Sequence, residues 1–346
     1  MPVHRVVISS TGPHFDVTVQ QHWSDEGYHV TYLPYPGGQK AYSRALQDLH
    51  DDLETGEKYA VIAYGEAAAQ ALLVHQLPMP KLCALVAYYP SRIDYPNMTF
   101  PPGLLVQVHL ASSQSFAPNF ASYSYPDTKP GFAESDSAQF ERVSSGLAWS
   151  RSLGMVRKGF GIEVDLEKIW DHHLDLEFGT KDAAATMKTM TAEPYVNHVP
   201  TLTGGVGARD LYRFYRDFFI PSNPETMRVR LISRTVGVDR IVDEMLVSFT
   251  HSQEIPWLLP GVPPTGNFIA IALVSIVCIR GGKLYHEHIY WDQASVLVQA
   301  GLLDPTLGTQ GFKEKGVERL PVVGGESAQK VVDEESVRSN QLIRGW

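Results

Sequence analysis

Two imidazoles and a carboxylate lie close together near the end of a strand-like segment, residues 283–291. His286 and His288 are two residues apart and therefore share one face of a strand, and Asp292 follows at its end. Histidine and aspartate are the usual side chains of general acid/base catalysis. The pattern predicts a proton-transfer site in which Asp292 is the base, with His288 and His286 as its partners or as donors to an oxyanion.

The residues on either side of this strand extend the pattern. Gly282 and Lys283 form a turn before it, and Gln299 and Gly301 follow Asp292 at seven and nine positions. This order resembles the C-terminal strand of the SnoaL-like polyketide cyclases, in the superfamily that also holds ketosteroid isomerases and the nuclear transport factor fold. The resemblance implies a cone-shaped α+β domain, Asp292 as the acid/base, and chemistry that needs no metal or cofactor.

Strands of this domain are predicted at residues 228–235, 240–250, 268–280 and 283–291. On the second of them, Asp243 belongs to a mostly apolar face, whereas Glu244 lies on the opposite face. An acid buried inside the domain is costly unless it is paired or catalytic. Either Asp243 or Glu244 is therefore expected at the substrate cavity, and the alternation alone leaves the choice open.

A helical stretch at residues 164–190, interrupted near residues 179–180, precedes these strands. Trp170, His173 and Glu177 share one of its faces because they are spaced three and seven residues apart. One interpretation makes Trp170 a core residue and His173 and Glu177 a surface pair. In the cyclases that this chain resembles, the first long helix closes over the cavity, which implies that Trp170 and His173 are pocket walls.

Further substrate-binding candidates come from segments that flank the sheet. The proline-stiffened apolar loop 252–266 suits a lid that excludes water or, equally, a contact in a homodimer. The candidates are Tyr195, His198, His251, Trp257 and Trp291.

Two alternatives compete with the acid/base interpretation of the histidine strand. Alternate histidines on a strand can bind zinc, which here requires a third ligand such as His251 or His173. Aspartate is also a frequent helix N-cap, so Asp292 has a structural role available at the start of the segment that follows it.

The N-terminal half has a different predicted fold, because buried strands alternate with helices. Strands are predicted at residues 5–9, 28–33, 59–63, 82–88 and 104–110, and helices at 39–53 and 67–75. This alternation is typical of an α/β domain with a parallel sheet.

One turn in this half has the shape of a nucleophile elbow, in which small residues flank a nucleophile between a strand and a helix. Residues 63–68 and 87–90 resemble the elbow and the next strand of the dienelactone hydrolases. The resemblance places the nucleophile at Gly65 and the catalytic histidine at Pro130, neither of which can do that chemistry. The domain is therefore expected to be a truncated, non-catalytic hydrolase scaffold, unless Glu66 serves as a carboxylate nucleophile instead.

The whole chain is expected to hold an α/β-hydrolase-like domain at residues 1–150, a SnoaL-like domain with a curved antiparallel sheet at 160–310, and a tail at 311–346. With 29 basic and 38 acidic residues and no basic run, a nucleic-acid groove is not expected. The N-terminus shows no secretory pattern and the longest apolar run is shorter than a membrane span, which favours a soluble cytoplasmic protein.

The function expected from these features is cyclisation, isomerisation or dehydration of a small oxygenated, polyketide-type molecule without a cofactor. Two other classes stay open: hydrolysis of a lactone or epoxide, and a non-catalytic protein that binds a ligand or a pathway partner.

Overall fold

The computed structural model describes residues 3–306, 311–312, 314–343 and 345. The chain divides between Val164 and Asp165 into two compact units. Within the described residues, no helix is both long enough and apolar enough to cross a membrane.

The first unit is built on a parallel sheet with the strand order β2-β1-β3-β4-β5-β6. Its strands are β1 (Arg5–Ser10), β2 (His29–Pro34), β3 (Tyr59–Tyr64), β4 (Leu82–Tyr88), β5 (Leu105–Ala111) and β6 (Ser122–Tyr125). Its helices are α1 (Val17–Asp25), α2 (Gln39–Gln47), α3 (Gly65–Val74) and α4 (Arg142–Phe160), with a short 3₁₀ turn at Asp48–His50.

Both faces of this sheet are covered, which explains the continuous apolar runs of its central strands. Every residue of β3 and of β4 is buried. One face packs against α2 and α3, and the other packs against α1 and α4. Strands covered on both sides lose the alternation of polar and apolar residues, as parallel strands usually do. The predicted α/β architecture with a parallel sheet is confirmed, and α1 and β6 are elements that the sequence did not indicate.

The second unit holds a sheet with the strand order β8-β7-β12-β11-β10-β9. Its strands are β7 (Met190–His198), β8 (Thr203–Val206), β9 (Arg228–Val236), β10 (Arg240–Thr250), β11 (Phe268–Arg280) and β12 (Lys283–Trp291). The expectation of a purely antiparallel sheet is corrected, because β7 runs parallel to β12 and the sheet is mixed.

Helices and short turns complete the second unit. They are α5 (Leu166–Leu174), a π-helical turn (Asp175–Gly179), α6 (Ala183–Lys188), α7 (Ala208–Phe214), a second π-helical turn (Tyr215–Phe219), a 3₁₀ turn (Ile220–Ser222), α8 (Gln293–Gln299) and α9 (Glu326–Val332). One face of the sheet packs against α5, α7 and the second π-helical turn in a single apolar cluster. In β10 every second residue from Ile241 to Phe249 is buried, so this alternation fixes which side chains point toward the helices.

Gln299, one of the residues that carried the cyclase resemblance, has a structural role. Its side-chain amide accepts a hydrogen bond from the Ala270 backbone N–H at 2.8 Å and donates to the Ala270 carbonyl at 3.0 Å. The amide thus satisfies both backbone groups of a residue that lies beyond the paired part of β11 and β12.

Candidate active site

A cavity of about 650 Å³ lies inside the second unit, between the sheet and the covering helices. Much of its wall is apolar or aromatic, and these residues include Phe178, Val196, Phe219, Met245, Val247, Trp257, Leu273 and Ile289. The polar or hydrogen-bonding residues that line it and are themselves buried are Trp170, Glu177, His198, Tyr215, Asn223, Asp243, Ser275 and Glu287. A concave, mostly apolar site with a few converging polar groups is typical of small-molecule binding.

Glu287 on β12 is one of three buried acids that line this cavity. Its side chain accepts a hydrogen bond from Ser275 Oγ at 2.7 Å, and the residue is 7% exposed. Burial raises the pKa of Glu287 to about 7, with Glu177 and Asp243 acting in the same direction and Ser275 and His173 opposing it. A carboxyl group in this range can both take up and release a proton near neutral pH.

Glu177 and His173 form a buried pair beside Glu287. His173 lies in the last turn of α5, and Glu177 lies on the π-helical turn that follows. His173 Nε2 and Glu177 Oε1 are 3.0 Å apart, and both residues are almost fully buried. Tyr215, from the second π-helical turn, is hydrogen bonded to Glu177. π-helical turns are frequent at functional sites, and here each of the two supplies a polar residue to the cavity.

The hydrogen bonds and charges around His173 favour the protonated form of its imidazole. The Thr189 hydroxyl donates to the Thr186 carbonyl at 2.6 Å, so it can only accept from His173 Nδ1, which lies 2.6 Å away. Burial lowers the pKa of His173, but the charge and hydrogen bond of Glu177, together with Glu287, more than offset this and raise it. His173 and Glu177 are therefore a buried hydrogen-bonded pair in which the carboxylate favours the protonated imidazole.

Asp243 lies at one side of the cavity and is already neutralised. Arg234 on β9 binds both of its carboxylate oxygens at 2.7 and 2.8 Å, and Trp170 Nε1 donates to it at 2.8 Å. Arg234 also reaches Asp171 on α5 at 2.8 Å. Through these contacts Arg234 links the edge strand β9 to both β10 and α5. Because its hydrogen-bonding capacity is taken, Asp243 fits a structural role better than a reactive one.

His198 and Trp257 contact each other within an aromatic cluster at the cavity. Their ring centroids are 5.1 Å apart, and Phe214, Phe219 and Trp291 also lie within 6 Å of the His198 ring. Burial lowers the pKa of His198 to about 4, so its imidazole is neutral at physiological pH. Of the candidate substrate-binding residues, Trp170, His198, Trp257 and Asp243 line the cavity, and His173 lies beside it against Glu177; their role in binding stays a prediction.

The three side chains predicted to be catalytic are not brought into the cavity. His286 and His288 stack at 5.1 Å on the face of β12 opposite Glu287 and Ile289. Asp292 is exposed, and its carboxylate accepts from the Ala294 N–H at 3.0 Å as the N-cap of α8. The expected convergence of these three side chains in a cavity is not found among the described residues, and the cavity acid of this strand is Glu287. A catalytic role for them stays a prediction that the cavity does not support.

Four other candidates also lie outside the cavity lining. Glu244 is on the outer face of β10, where Ser233 donates to it at 3.0 Å. Tyr195 packs against His288 on that side of the sheet, with ring centroids 5.3 Å apart. His251 is buried and contacts Thr265, with 3.1 Å between Nδ1 and Oγ1.

Trp291, the fourth of these candidates, is a core residue whose Nε1 donates to Gln293 Oε1 at 2.6 Å.

Across the described residues, no three His, Cys, Asp or Glu side chains are grouped so as to hold a metal ion, the proposed zinc ligands included.

Sequence reasoning missed Glu287, Ser275, Tyr215 and Asn223 as site residues. A signal for Glu287 was present, since it lies among Leu284, Ile289 and Trp291 on the buried side of its strand. Counting in twos back from Trp291 and Ile289 reaches Glu287, whereas counting forward from Leu284 gives the other face, because the β11–β12 register shifts near Cys278.

The elbow of the first unit holds no nucleophile. Gly65 begins α3 with φ +59°, the left-handed conformation expected at such a turn. Its neighbour Glu66 accepts hydrogen bonds from Ser91, Arg92 and Gln70. Burial raises the pKa of Glu66, but these bonds more than offset it and lower the pKa. Glu66 is thus a fully bonded carboxylate.

A buried histidine in the first unit is held in a hydrogen-bond chain away from this elbow. His109 on β5 lies 2.9 Å from Ser152 Oγ and 2.8 Å from the Tyr125 hydroxyl. Burial lowers the pKa of His109 to about 3, so it is neutral. All three residues are almost completely enclosed, which makes the chain part of the packing between α4 and β5.

Comparison with known proteins gives structural similarity but no sequence match. Neither a family model nor a curated protein matches the chain. TsrD from Streptomyces laurentii is 19% identical, with 41% of this chain and 100% of that one covered and a TM-score of 0.33.

Two putative polyketide cyclases are similar to the same extent. The protein from Acidithiobacillus ferrooxidans is 18% identical, with 40% of this chain and 96% of that one covered and a TM-score of 0.34. A SnoaL-like protein from Jannaschia sp. CCS1 is 15% identical, with 41% and 99% covered and a TM-score of 0.32.

Proposed function

We propose that the second unit is a cofactor-independent acid/base enzyme in which Glu287 carries the proton. The observation that supports this most is a buried carboxyl whose pKa burial raises to about 7, inside a cavity of about 650 Å³. The other two buried acids of the cavity have basic partners, His173 for Glu177 and Arg234 for Asp243. Glu287 has a hydroxyl partner, Ser275, and is the acid best placed to exchange a proton with a ligand.

The proposed reaction begins with proton removal from a carbon next to a carbonyl group. The ionised Glu287 takes the proton, the C–H electron pair forms the enolate double bond, and the carbonyl π electrons move to oxygen. Neutral Glu287 then returns the proton to another carbon in isomerisation, to the oxygen formed by ring closure in cyclisation, or to a leaving hydroxyl in dehydration. The Ser275 hydrogen bond holds the carboxyl in one orientation throughout.

The neighbouring charges set the pH at which this exchange works. Glu177 and Asp243 favour the protonated form of Glu287, whereas His173 favours the ionised form. Apolar walls exclude water, which strengthens these interactions and suits a small, oxygenated but largely apolar substrate such as a polyketide-type molecule. For the first unit we propose a non-catalytic hydrolase-like scaffold, since Gly65 supplies no nucleophile and Glu66 is occupied.

Hydrogen–deuterium exchange tests the function without knowledge of the natural substrate. A panel of cyclic and aromatic ketones is incubated with the protein in D₂O, and deuterium at the carbon next to the carbonyl is followed by NMR. We expect catalysed exchange with the wild type and at least a hundred-fold less with Glu287→Gln, because a positioned base contributes about 10²–10⁴-fold. Asp292→Asn and His288→Gln serve as matched controls and should retain exchange. Loss in Asp292→Asn with retention in Glu287→Gln would overturn the proposal.

A further inference from the structure

Two nitrogen atoms of cavity-lining side chains make no hydrogen bond among the described residues, and both side chains contact Trp257. They are Nδ2 of Asn223, which is fully buried, and Nε2 of His198, whose ring makes its hydrogen bond through Nδ1. Both residues line the cavity and are more than nine-tenths buried. An unpaired buried polar group costs about 1–3 kcal/mol, so the Asn223 amide indicates that a ligand completes this wall, and His198 Nε2 is available to the same ligand.

The tautomer of His198 follows from its one hydrogen bond. Nδ1 lies 3.3 Å from the Thr203 carbonyl oxygen, which can only accept, so Nδ1 carries the hydrogen. In the neutral ring Nε2 then has a lone pair and no hydrogen, and it can only accept. Thr203 is itself fixed, because its hydroxyl donates to the Trp257 carbonyl at 3.1 Å.

The orientation of Asn223 is fixed in the same way. Trp257 Nε1 is a donor only, and it lies 3.0 Å from Asn223 Oδ1. A flipped amide would place two donors against each other, so Oδ1 faces the indole and the NH₂ group is the free end. Trp257 therefore orients one hydrogen-bond acceptor and one donor at the same wall of the cavity.

We propose that His198 and Asn223 are the specificity-determining pair of the cavity and select a hydroxylated carbonyl compound. His198 Nε2 accepts a hydrogen bond from a substrate hydroxyl, and Asn223 Nδ2 donates one to a substrate carbonyl oxygen. The inference rests on the proposed function, for which the same amide donor would stabilise the enolate oxygen. A site that hydrogen bonds a substrate group rejects analogues without that group, because its own buried atoms are then unpaired.

Equilibrium binding of matched probes separates the two contacts. The probes are phenol, anisole, acetophenone and toluene, titrated by calorimetry at pH 7. We expect phenol to bind about five-fold tighter than anisole or toluene, and acetophenone about five-fold tighter than toluene, which is the usual effect of one net hydrogen bond. His198→Phe should lose the phenol preference and keep the acetophenone preference. Asn223→Leu should show the reverse, and His288→Phe, on the other face of the sheet, should keep both.

The crossed pattern guards against a merely structural effect, since each variant's retained preference shows an intact cavity. Equal loss of both preferences in both variants, or no preference in the wild type, would overturn the proposal. A second readout needs no folded variant of the cavity: ¹⁵N-histidine NMR should show one ring with a bare Nε2 that shifts with phenol and not with toluene. These experiments measure binding alone. The assignment of Glu287 can therefore fail in the exchange assay while the roles of His198 and Asn223 are confirmed, and the roles of His198 and Asn223 can fail while the assignment of Glu287 is confirmed.

Discussion

Glu287→Gln should make the second unit more stable at alkaline pH, although it removes a residue central to the site. Burial raises the pKa of Glu287 from its ordinary value of 4.5 to about 7. Between these two values the folded protein binds more protons than the unfolded chain, so the wild type loses stability as pH rises through this window and levels off above it. The pKa difference corresponds to about 3 kcal/mol once both states are ionised. Glutamine is neutral throughout and does not incur this penalty.

The assay is urea unfolding from pH 5 to pH 9, followed by tryptophan fluorescence. Trp170, Trp257 and Trp291 report on the second unit, whose transition is fitted separately. We expect the free-energy advantage of Glu287→Gln over the wild type to grow by about 2–3 kcal/mol across this range. Glu244→Gln, on the outer face of β10, is the control and should show no such growth. An advantage that does not change with pH, or a wild type that gains on the variant as pH rises, would refute the reasoning.

Three further substitutions test other parts of the structure. Arg234→Met should destabilise the second unit by about 3–5 kcal/mol in urea unfolding, because it leaves the Asp243 carboxylate buried without its cation; a loss below 1 kcal/mol would contradict the paired role. Gly204→Ala should cost about 2 kcal/mol or more by the same assay, since the added Cβ would lie 2.1 Å from the Val196 carbonyl oxygen at φ +124°; an unchanged midpoint would contradict this. Gly65→Ser should confer no esterase activity in a p-nitrophenyl acetate assay, because Pro130 stands where the hydrolase resemblance places the catalytic histidine, and measurable turnover would show that another base activates the serine.

The elements that could be predicted from the sequence are those with strong hydrophobic patterning. The bounds of β4, β10, β11 and β12 are confirmed as predicted, because long buried or alternating runs define them. By contrast, the sequence did not indicate α1 (Val17–Asp25), whose polar residues give a weak apolar face.

The site was harder to predict than the fold, because two of its features depart from the regular spacing of helices and strands. The two π-helical turns shift Glu177 and Tyr215 relative to an ideal helix, and the register shift at the start of β12 puts Leu284 out of step with Glu287. The acid on an apolar face was recognised for Asp243, and the same physical argument applies to Glu287. His286 and His288 were predicted to be catalytic because histidine is a common acid/base residue, although both lie on the other side of the sheet.

A direct titration of Glu287 tests the central claim most simply. The side-chain carboxyl carbons are labelled with ¹³C-glutamate, the Glu287 signal is assigned from Glu287→Gln, and its chemical shift is followed from pH 4 to pH 9. A midpoint near pH 7 is the predicted result, and it should fall in Glu177→Gln, which removes a neighbouring negative charge. A midpoint in the ordinary range of glutamate, about pH 4–5, would contradict the assignment of Glu287 as the proton carrier.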